Sequence, residues 1–340
     1  VRAGCWAAVV ETSSQGILQH RHRGINYDVV VCTNLTPEHI EAHGGFAYYR
    51  AAKGQLFSRL MAARRKTLAG KKIPKVSVVN LDDEHAGYFL QFAADQKIGF
   101  TRSARYDLTG VDELRAEGLA VGPQGSRWRL RGVEFTLPLL GAHNVENALA
   151  AVAVGYAAGL TLPEMAEQLS RAPAVPGRLE FITEGQPFRV VVDYAPEPVG
   201  VGKLYETLAL LGSGGRTIHV LGSTGGGRDR ARRPVLGQLA GRHADVVVVT
   251  NEDPYDDDPQ IIINEVAAGA RAAGKRDGVD LFTILDRRAA IAHALRTALP
   301  GDTVLVTGKG CEQAMAVAGG RLLPWDDRTV IREELQKILG

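Results

Sequence analysis

The chain alternates between short β-branched apolar runs and longer amphipathic stretches, and this alternation restricts the fold more than any single motif does. The run VVVVT at 246–250 is apolar at four successive positions rather than at every second one. A strand with one wet face shows period-two alternation. An unbroken run therefore points to burial on both faces, as in a parallel sheet covered by helices. Strands are expected at 6–12, 28–34, 75–80, 189–194, 217–222, 245–250, 281–285 and 303–307. Amphipathic helices are expected at 47–65, 145–158, 258–273, 287–299 and 328–339. Strand and helix in alternation give an α/β fold with mostly parallel sheets.

Two places break the rhythm. Residues 127–139 read as two short strands around Gly132, a hairpin beside the first sheet. The run APAVP at 172–176 sets two prolines after a helix. Proline cannot continue a helix and disfavours helix in the residue before it. A boundary is expected there, giving one domain over 1–173 and a second over 174–340. A chain of 340 residues has the length for two domains, each with its own core.

Charge excludes little but directs attention elsewhere. A net charge of +2 gives no argument for nucleic acid or for a membrane surface. No apolar run has membrane-spanning length, and the first residues do not read as a signal peptide. The three cysteines, Cys5, Cys32 and Cys311, are sparse and include no C-x-x-C pair. That pattern argues against a disulfide scaffold or a zinc cluster and fits a reducing, cytoplasmic setting. The opening is abrupt, one short step before an expected buried strand, as expected of a chain cut inside a domain.

Three segments in the first domain carry types suited to chemistry. Glu11, in VVETSS, is expected at the carboxyl end of a strand. Ligands of open α/β sheets gather there, and a carboxylate there can hold magnesium. The alternative is a helix cap, since Thr12, Ser13 and Ser14 are all capping types. In TNLTPEHIEAHGG, at 33–45, His39 and His43 are four apart and can share a helix face. The zinc-protease pattern H-E-x-x-H is absent because position 40 is Ile. Lys53, in YYRAAKGQLF, reads in isolation as a solvated helix lysine.

Taken in order, these segments resemble the central, ATP-binding domain of the Mur ligases. Further motifs extend the resemblance: GAHNVENALAA at 141–151, PGRLEFI at 176–182, VVDYA at 191–195, GGGRDRARRP at 225–234, TNEDP at 250–254, GKGCEQ at 308–313 and WDDR at 325–328. The later ones are similar to the Rossmann-like C-terminal domain of the MurE branch. The resemblance implies an acid–amino-acid ligase of peptidoglycan biosynthesis. It would join a free amino acid to UDP-N-acetylmuramoyl-L-alanyl-D-glutamate, with ATP and Mg2+ as cofactors. Glu11, His39 and a carbamylated Lys53 would hold the magnesium ion, the carbamate turning an ammonium into a carboxylate-like ligand. Ser13, Gln19 and Arg21 would grip the muramoyl dipeptide. Asn144, Asn147, Arg178 and Asp193 would contact the nucleotide. Arg228, Asp253, Gly308 and Glu312 would receive the amino acid. No nucleic-acid or membrane partner is implied.

Several features depart from that pattern. No G-x-x-x-x-G-K-[ST] phosphate loop is found; AGKK at 69–72 and Gly308–Lys309 both fail it. The uridine-binding N-terminal domain is not found either. The chain is therefore expected to be a truncated piece, with weak nucleotide binding and weak or no ligase activity alone. The family's A-H-T-P after D-Y is APEP at 195–198, with Pro196 and Glu197 where a phosphate-facing histidine is usual. Its D-N-P-R is Glu252, Asp253, Pro254, Tyr255. Tyrosine cannot replace a bidentate guanidinium on a carboxylate, so a diamino acid without a distal carboxylate, such as L-lysine, is expected. Asp256, Asp257 and Asp258 either add to an ammonium-attracting field or cap the following helix. Three rivals stand beside this reading: a folylpolyglutamate-synthase-like ligase, a dinucleotide-binding protein resting on GSTGGGRDR at 222–230, and a ligase fold without ATP chemistry.

Overall fold

The computed structural model describes residues 4–36, 43–102, 106, 108–212, 214–227 and 230–340. The chain divides into two compact units, the described residues within 1–120, 126–137 and 143–171 forming one and those within 121–125, 138–142 and 172–340 the other.

In the first unit, four strands pair in parallel in the order Val29–Cys32, Val76–Asn80, Gln96–Thr101, Asp112–Arg115. Val76–Asn80 is buried at every position, as a central strand covered on both sides must be. One face packs Val30, Cys32 and Val79 against Tyr49 and Phe57 of helix Phe46–Ser58 and Phe89 of helix Ala86–Leu90. Lys75 is fully buried at the amino end of the sheet. Its ammonium donates to the carbonyls of Tyr27 at 2.5 Å and Arg64 at 3.2 Å, and pairs with Asp28 at 3.2 Å. The expected hairpin is present as Gly125–Leu130 with Val133–Leu137, its Trp128 and Phe135 rings stacked at 5.5 Å. It belongs to a separate three-stranded sheet with Glu117–Gly122.

One expected strand is absent. Residues 6–12 form no strand, with Trp6 79% and Val9 97% exposed. The run is β-branched, but propensity yields a strand only where an edge offers hydrogen bonds and a face offers burial. Glu11 therefore does not stand at a strand end. Two strands of the four-stranded sheet, Gln96–Thr101 and Asp112–Arg115, went unread because they are polar at their outer ends and lack an apolar run. The helix expected over 47–65 stops at Ser58.

The second unit is built on six strands in the order Glu180–Phe181, Arg189–Asp193, Thr303–Thr307, Thr217–Leu221, Val246–Thr250, Leu281–Ile284. All pair in parallel except the two-residue edge strand. Here the VVVVT pattern finds its cause. Val246 and Val248 enter one core with Ile291 and Leu295 of helix Arg287–Thr297 and Ile331 of helix Asp327–Leu339. Val247 and Val249 enter the opposite core with Leu204 of helix Pro198–Leu210, Leu236 of helix Arg232–His243 and Ile263 of helix Pro259–Ala272. Each fully buried valine is worth about 1.5–3 kcal/mol. Because the strands run in parallel, the segments after Asp193, Leu221, Thr250 and Thr307 all emerge at one edge.

Candidate functional site

That carboxyl edge gathers the motifs that lie far apart in sequence. A Cβ on Gly177 would lie 2.2 Å from the Gly310 carbonyl carbon, and one on Gly310 would lie 2.5 Å from the Tyr194 Cα. Both glycines hold positive φ, +69° and +43°. The PGR, DYA and GKG segments thus touch backbone to backbone. Asp193 joins the first two: its carboxylate accepts from the Leu179 amide at 2.7 Å and the Ala195 amide at 2.8 Å. The exposed Arg178 lays its guanidinium over the Tyr194 ring at 4.3 Å. Burial, with Glu312 and Glu252 nearby, pushes the Tyr194 phenol up to about 12.

Behind these loops lies a buried charge network. Lys309 is 1% exposed and donates to both Asp253 oxygens at 2.8 and 2.9 Å and to Glu312 at 2.5 Å. Burial opposes its charge, but the two carboxylates outweigh it and its pKa is raised. Asp253 also accepts from the Ala316 amide at 2.8 Å. Two residues expected to receive an amino acid, Asp253 and Glu312, are therefore tied together by a lysine to which the sequence gave no role. Glu252 is buried beside them. It accepts from the Thr224 hydroxyl at 2.8 Å, and burial raises its pKa against the lowering pull of Arg287. Gly308 sits directly over Glu252; a Cβ there would meet a Glu252 carboxyl oxygen at 2.2 Å. Beneath the site His219 is fully buried between the Tyr205 hydroxyl at 2.6 Å and the Thr307 hydroxyl at 2.9 Å. Burial, then Arg287, lowers its pKa to about 3.

Tyr255 has φ +51°, uncommon for a non-glycine residue, and its ring lies against Gly226. Its amide donates to the Ala316 carbonyl at 3.1 Å. The three following aspartates each have structural work. Asp256 accepts from the Gly319 amide at 2.8 Å, Asp257 lies 3.4 Å from Arg233, and Asp258 caps helix Pro259–Ala272 through the Gln260 amide at 2.8 Å. The capping alternative holds for Asp258. Glu197 of the APEP departure pairs with the buried Arg232. Arg228 lies outside the described residues.

In the first unit Lys53 is half-buried on helix Phe46–Ser58, its ammonium 5.2 Å from the Tyr49 ring centre. Tyr49 meets the His43 ring at 5.3 Å, and His43 reaches the Ser14 hydroxyl at 3.0 Å. Burial and Lys53 both lower the His43 pKa. His39 lies outside the described residues. Ser13 caps helix Ser14–Leu18, accepting from the Gly16 amide at 3.1 Å; Gln19 closes that helix, and Gln19, Arg21 and Glu11 are exposed. Asn144 and Asn147 share a face of helix Ala142–Ala157, 3.3 Å apart. Among the described residues no group of three His, Cys, Asp or Glu is placed to hold a metal.

Comparison with known proteins identifies relatives of both units. Residues 1–155 match the Mur ligase middle domain, and 177–310 match the Mur ligase, glutamate ligase domain. The UDP-N-acetylmuramyl-tripeptide synthetase of Roseiflexus sp. (strain RS-1) is 40% identical, over 99% of this chain and 66% of that protein. The UDP-N-acetylmuramoyl-L-alanyl-D-glutamate–2,6-diaminopimelate ligase of Streptomyces coelicolor is 36% identical, over 99% and 64%. The chain thus spans just under two thirds of these relatives. A solved UDP-N-acetylmuramoyl-L-alanyl-D-glutamate–2,6-diaminopimelate ligase aligns with TM-score 0.56 and 27% identity over 96% of this chain and 64% of its own. The folylpolyglutamate synthase of Mycobacterium tuberculosis aligns with TM-score 0.59 over 93% and 65%, at 18% identity, a likeness of fold alone. No helix among the described residues is long and apolar enough to cross a membrane.

Proposed function

Since this chain belongs to the Mur ligase family, whose middle and C-terminal domains it carries, we propose that it serves ATP-dependent ligation of a diamino acid to UDP-N-acetylmuramoyl-L-alanyl-D-glutamate. The observation that carries the reading is the Asp253–Lys309–Glu312 cluster at the carboxyl edge of the second sheet. It is an acidic pair, neutralised in part by one buried ammonium, on loops clasped to the PGR and DYA segments. Such a pair suits the ammonium of an incoming amino acid.

In the proposed reaction the dipeptide carboxylate attacks the γ-phosphoryl of ATP, ADP leaves, and the amine attacks the resulting acyl phosphate and expels phosphate. Positioning and charge stabilisation do most of the work in such transfers. Arg178, Asn144 and Asn147 are proposed to meet the nucleotide, and Ser13, Gln19 and Arg21 the dipeptide. Asp193 is proposed to act by holding the PGR and DYA turns. We further propose that Lys53 is carbamylated and, with Glu11 and His39, binds Mg2+; a carbamate would supply the carboxylate that the described side chains lack. When bound, the ion would neutralise phosphate charge.

For the amino acid we propose one without a distal carboxylate, such as L-lysine, because Tyr255 stands where a guanidinium would be needed. The Streptomyces relative is named for 2,6-diaminopimelate, so Tyr255→Arg should raise use of meso-diaminopimelate at least tenfold relative to lysine. The likeness to folylpolyglutamate synthase is one of fold and favours no second reading. The test is ADP release by a protein containing residues 1–340. Release that requires both the muramoyl dipeptide and an amino acid supports the reading; release with folate and glutamate instead overturns it.

A further inference from the structure

The two loops that carry Asp253 and Lys309 leave the sheet from strands that are not neighbours. Thr217–Leu221 lies between Val246–Thr250 and Thr303–Thr307, so no ladder bonds join the two strand ends. Yet the Lys309–Asp253 contacts at 2.8 and 2.9 Å hold only if the loops keep one separation.

Arg287 bridges that gap. Its guanidinium donates to the Asn251 carbonyl at 3.2 Å on one loop and to the Thr307 carbonyl at 2.8 Å at the root of the other. The remaining donors grip Asp327 at 2.8 and 2.6 Å. Asp327 is in turn fixed by the Trp325 indole N–H at 2.8 Å. Arg287 and Asp327 side chains are 1% and 0% exposed. Burial opposes the charge on Arg287, but Asp327, with Glu252 and Asp253 adding, raises its pKa. The placement runs against local preference. Arg287 is the first residue of its helix, where the dipole disfavours a cation. A planar fork with five donors can serve two carbonyls and a carboxylate at once, which a lysine cannot.

We propose that Arg287, oriented by Asp327 and Trp325, is a positioning residue that sets the separation of the loops at 251–257 and 308–312. It touches no substrate; it acts through Asp253 and Lys309. Its consequence for catalysis rests on the function proposed above, but its mechanical role does not.

The experiment is amide hydrogen exchange on the chain, with Arg287→Met, Arg287→Lys and Asp327→Asn. The control is Arg216→Met, which breaks the Arg216–Asp302 pair, 2.8 Å, at the opposite edge of the same sheet. Arg287→Met and Asp327→Asn should speed exchange at 251–257 and 308–312 together by tenfold or more, with Arg287→Lys in between. Arg216→Met should leave both within twofold. In the ligase assay, Arg287→Lys should raise KM for the amino acid tenfold while KM for ATP stays within twofold. Exchange unchanged in the two loops, or raised equally through strands 246–250 and 303–307, overturns the proposal. If Arg287→Met fails to fold, Arg287→Lys and Asp327→Asn decide it. Coupled loop exchange in the chain, together with no ligase activity in a longer protein that contains it, would sink the function while leaving the positioning role standing.

Discussion

Lys309 and Lys53 occupy opposite situations, and the contrast explains what each can do. Lys309 is buried, bonded to two carboxylates and held charged. An amine in that state cannot attack carbon dioxide or anything else; it can only fix the acids around it. Lys53 is half-buried with its ammonium facing the Tyr49 ring, close enough to lower the His43 pKa. Unlike Lys309, its ammonium has no carboxylate partner among the contacts described above, and the proposed carbamylation concerns this lysine. The proposed chemistry falls to the less constrained lysine, and charge-matching to the more constrained one.

Lys309→Met should break the contrast most visibly. It leaves Asp253 and the acids near it without their buried cation, and losing one partner of a buried pair costs about 3–5 kcal/mol. Urea unfolding of the second unit should show it; a loss under 1 kcal/mol would mean the network relaxes freely. Gly310→Ala comes next. The added methyl meets the Tyr194 backbone at a positive φ, so a loss of about 2–4 kcal/mol is expected in the same titration.

His219 sharpens the comparison, being a buried base that stays neutral. Its folded pKa of about 3 lies below the ordinary 6.5. The unfolded chain therefore binds a proton that the folded chain refuses. Stability is full above pH 6.5 and falls as pH drops towards 3, by up to about 1.4 kcal/mol per unit. His219→Gln should lack this slope. Parallel stability curves for the two proteins between pH 7 and 4 would show that the ring is not held neutral. The smallest stability effect belongs to Lys53→Ala, expected within about 0.5 kcal/mol. The same change should abolish ligation in a protein containing this chain, with partial rescue by short carboxylic acids. Full activity without Lys53 would remove the carbamate proposal.

The sequence made the second unit legible because its signals were redundant. VVVVT reported burial on two faces, and the PGR, DYA and GKG segments marked the edge where glycines let backbones touch. It misled at 6–12, where β-branched residues suggested a strand but the segment pairs with no strand and leaves Trp6 and Val9 exposed. It was silent on Lys309, which was weighed only as part of a failed phosphate loop. It was silent on Arg287 too, since an arginine at a helix start looks like surface charge. Apart from the Lys309–Glu312 pair, both residues act through contacts with segments 20 to 56 positions away, and no local pattern encodes those. Ser14 and His43 were each noted, but their contact across 29 positions was missed for the same reason.

The most direct test of the central claim is a ligation assay on a protein containing residues 1–340. It would offer UDP-N-acetylmuramoyl-L-alanyl-D-glutamate and ATP with lysine, ornithine and meso-diaminopimelate in parallel, and read the products by mass. The account predicts a lysine-extended product, with ADP formed in step and meso-diaminopimelate poorly used. A clear preference for meso-diaminopimelate would contradict the role given to Tyr255. No extended product with any of the three would contradict the ligase itself.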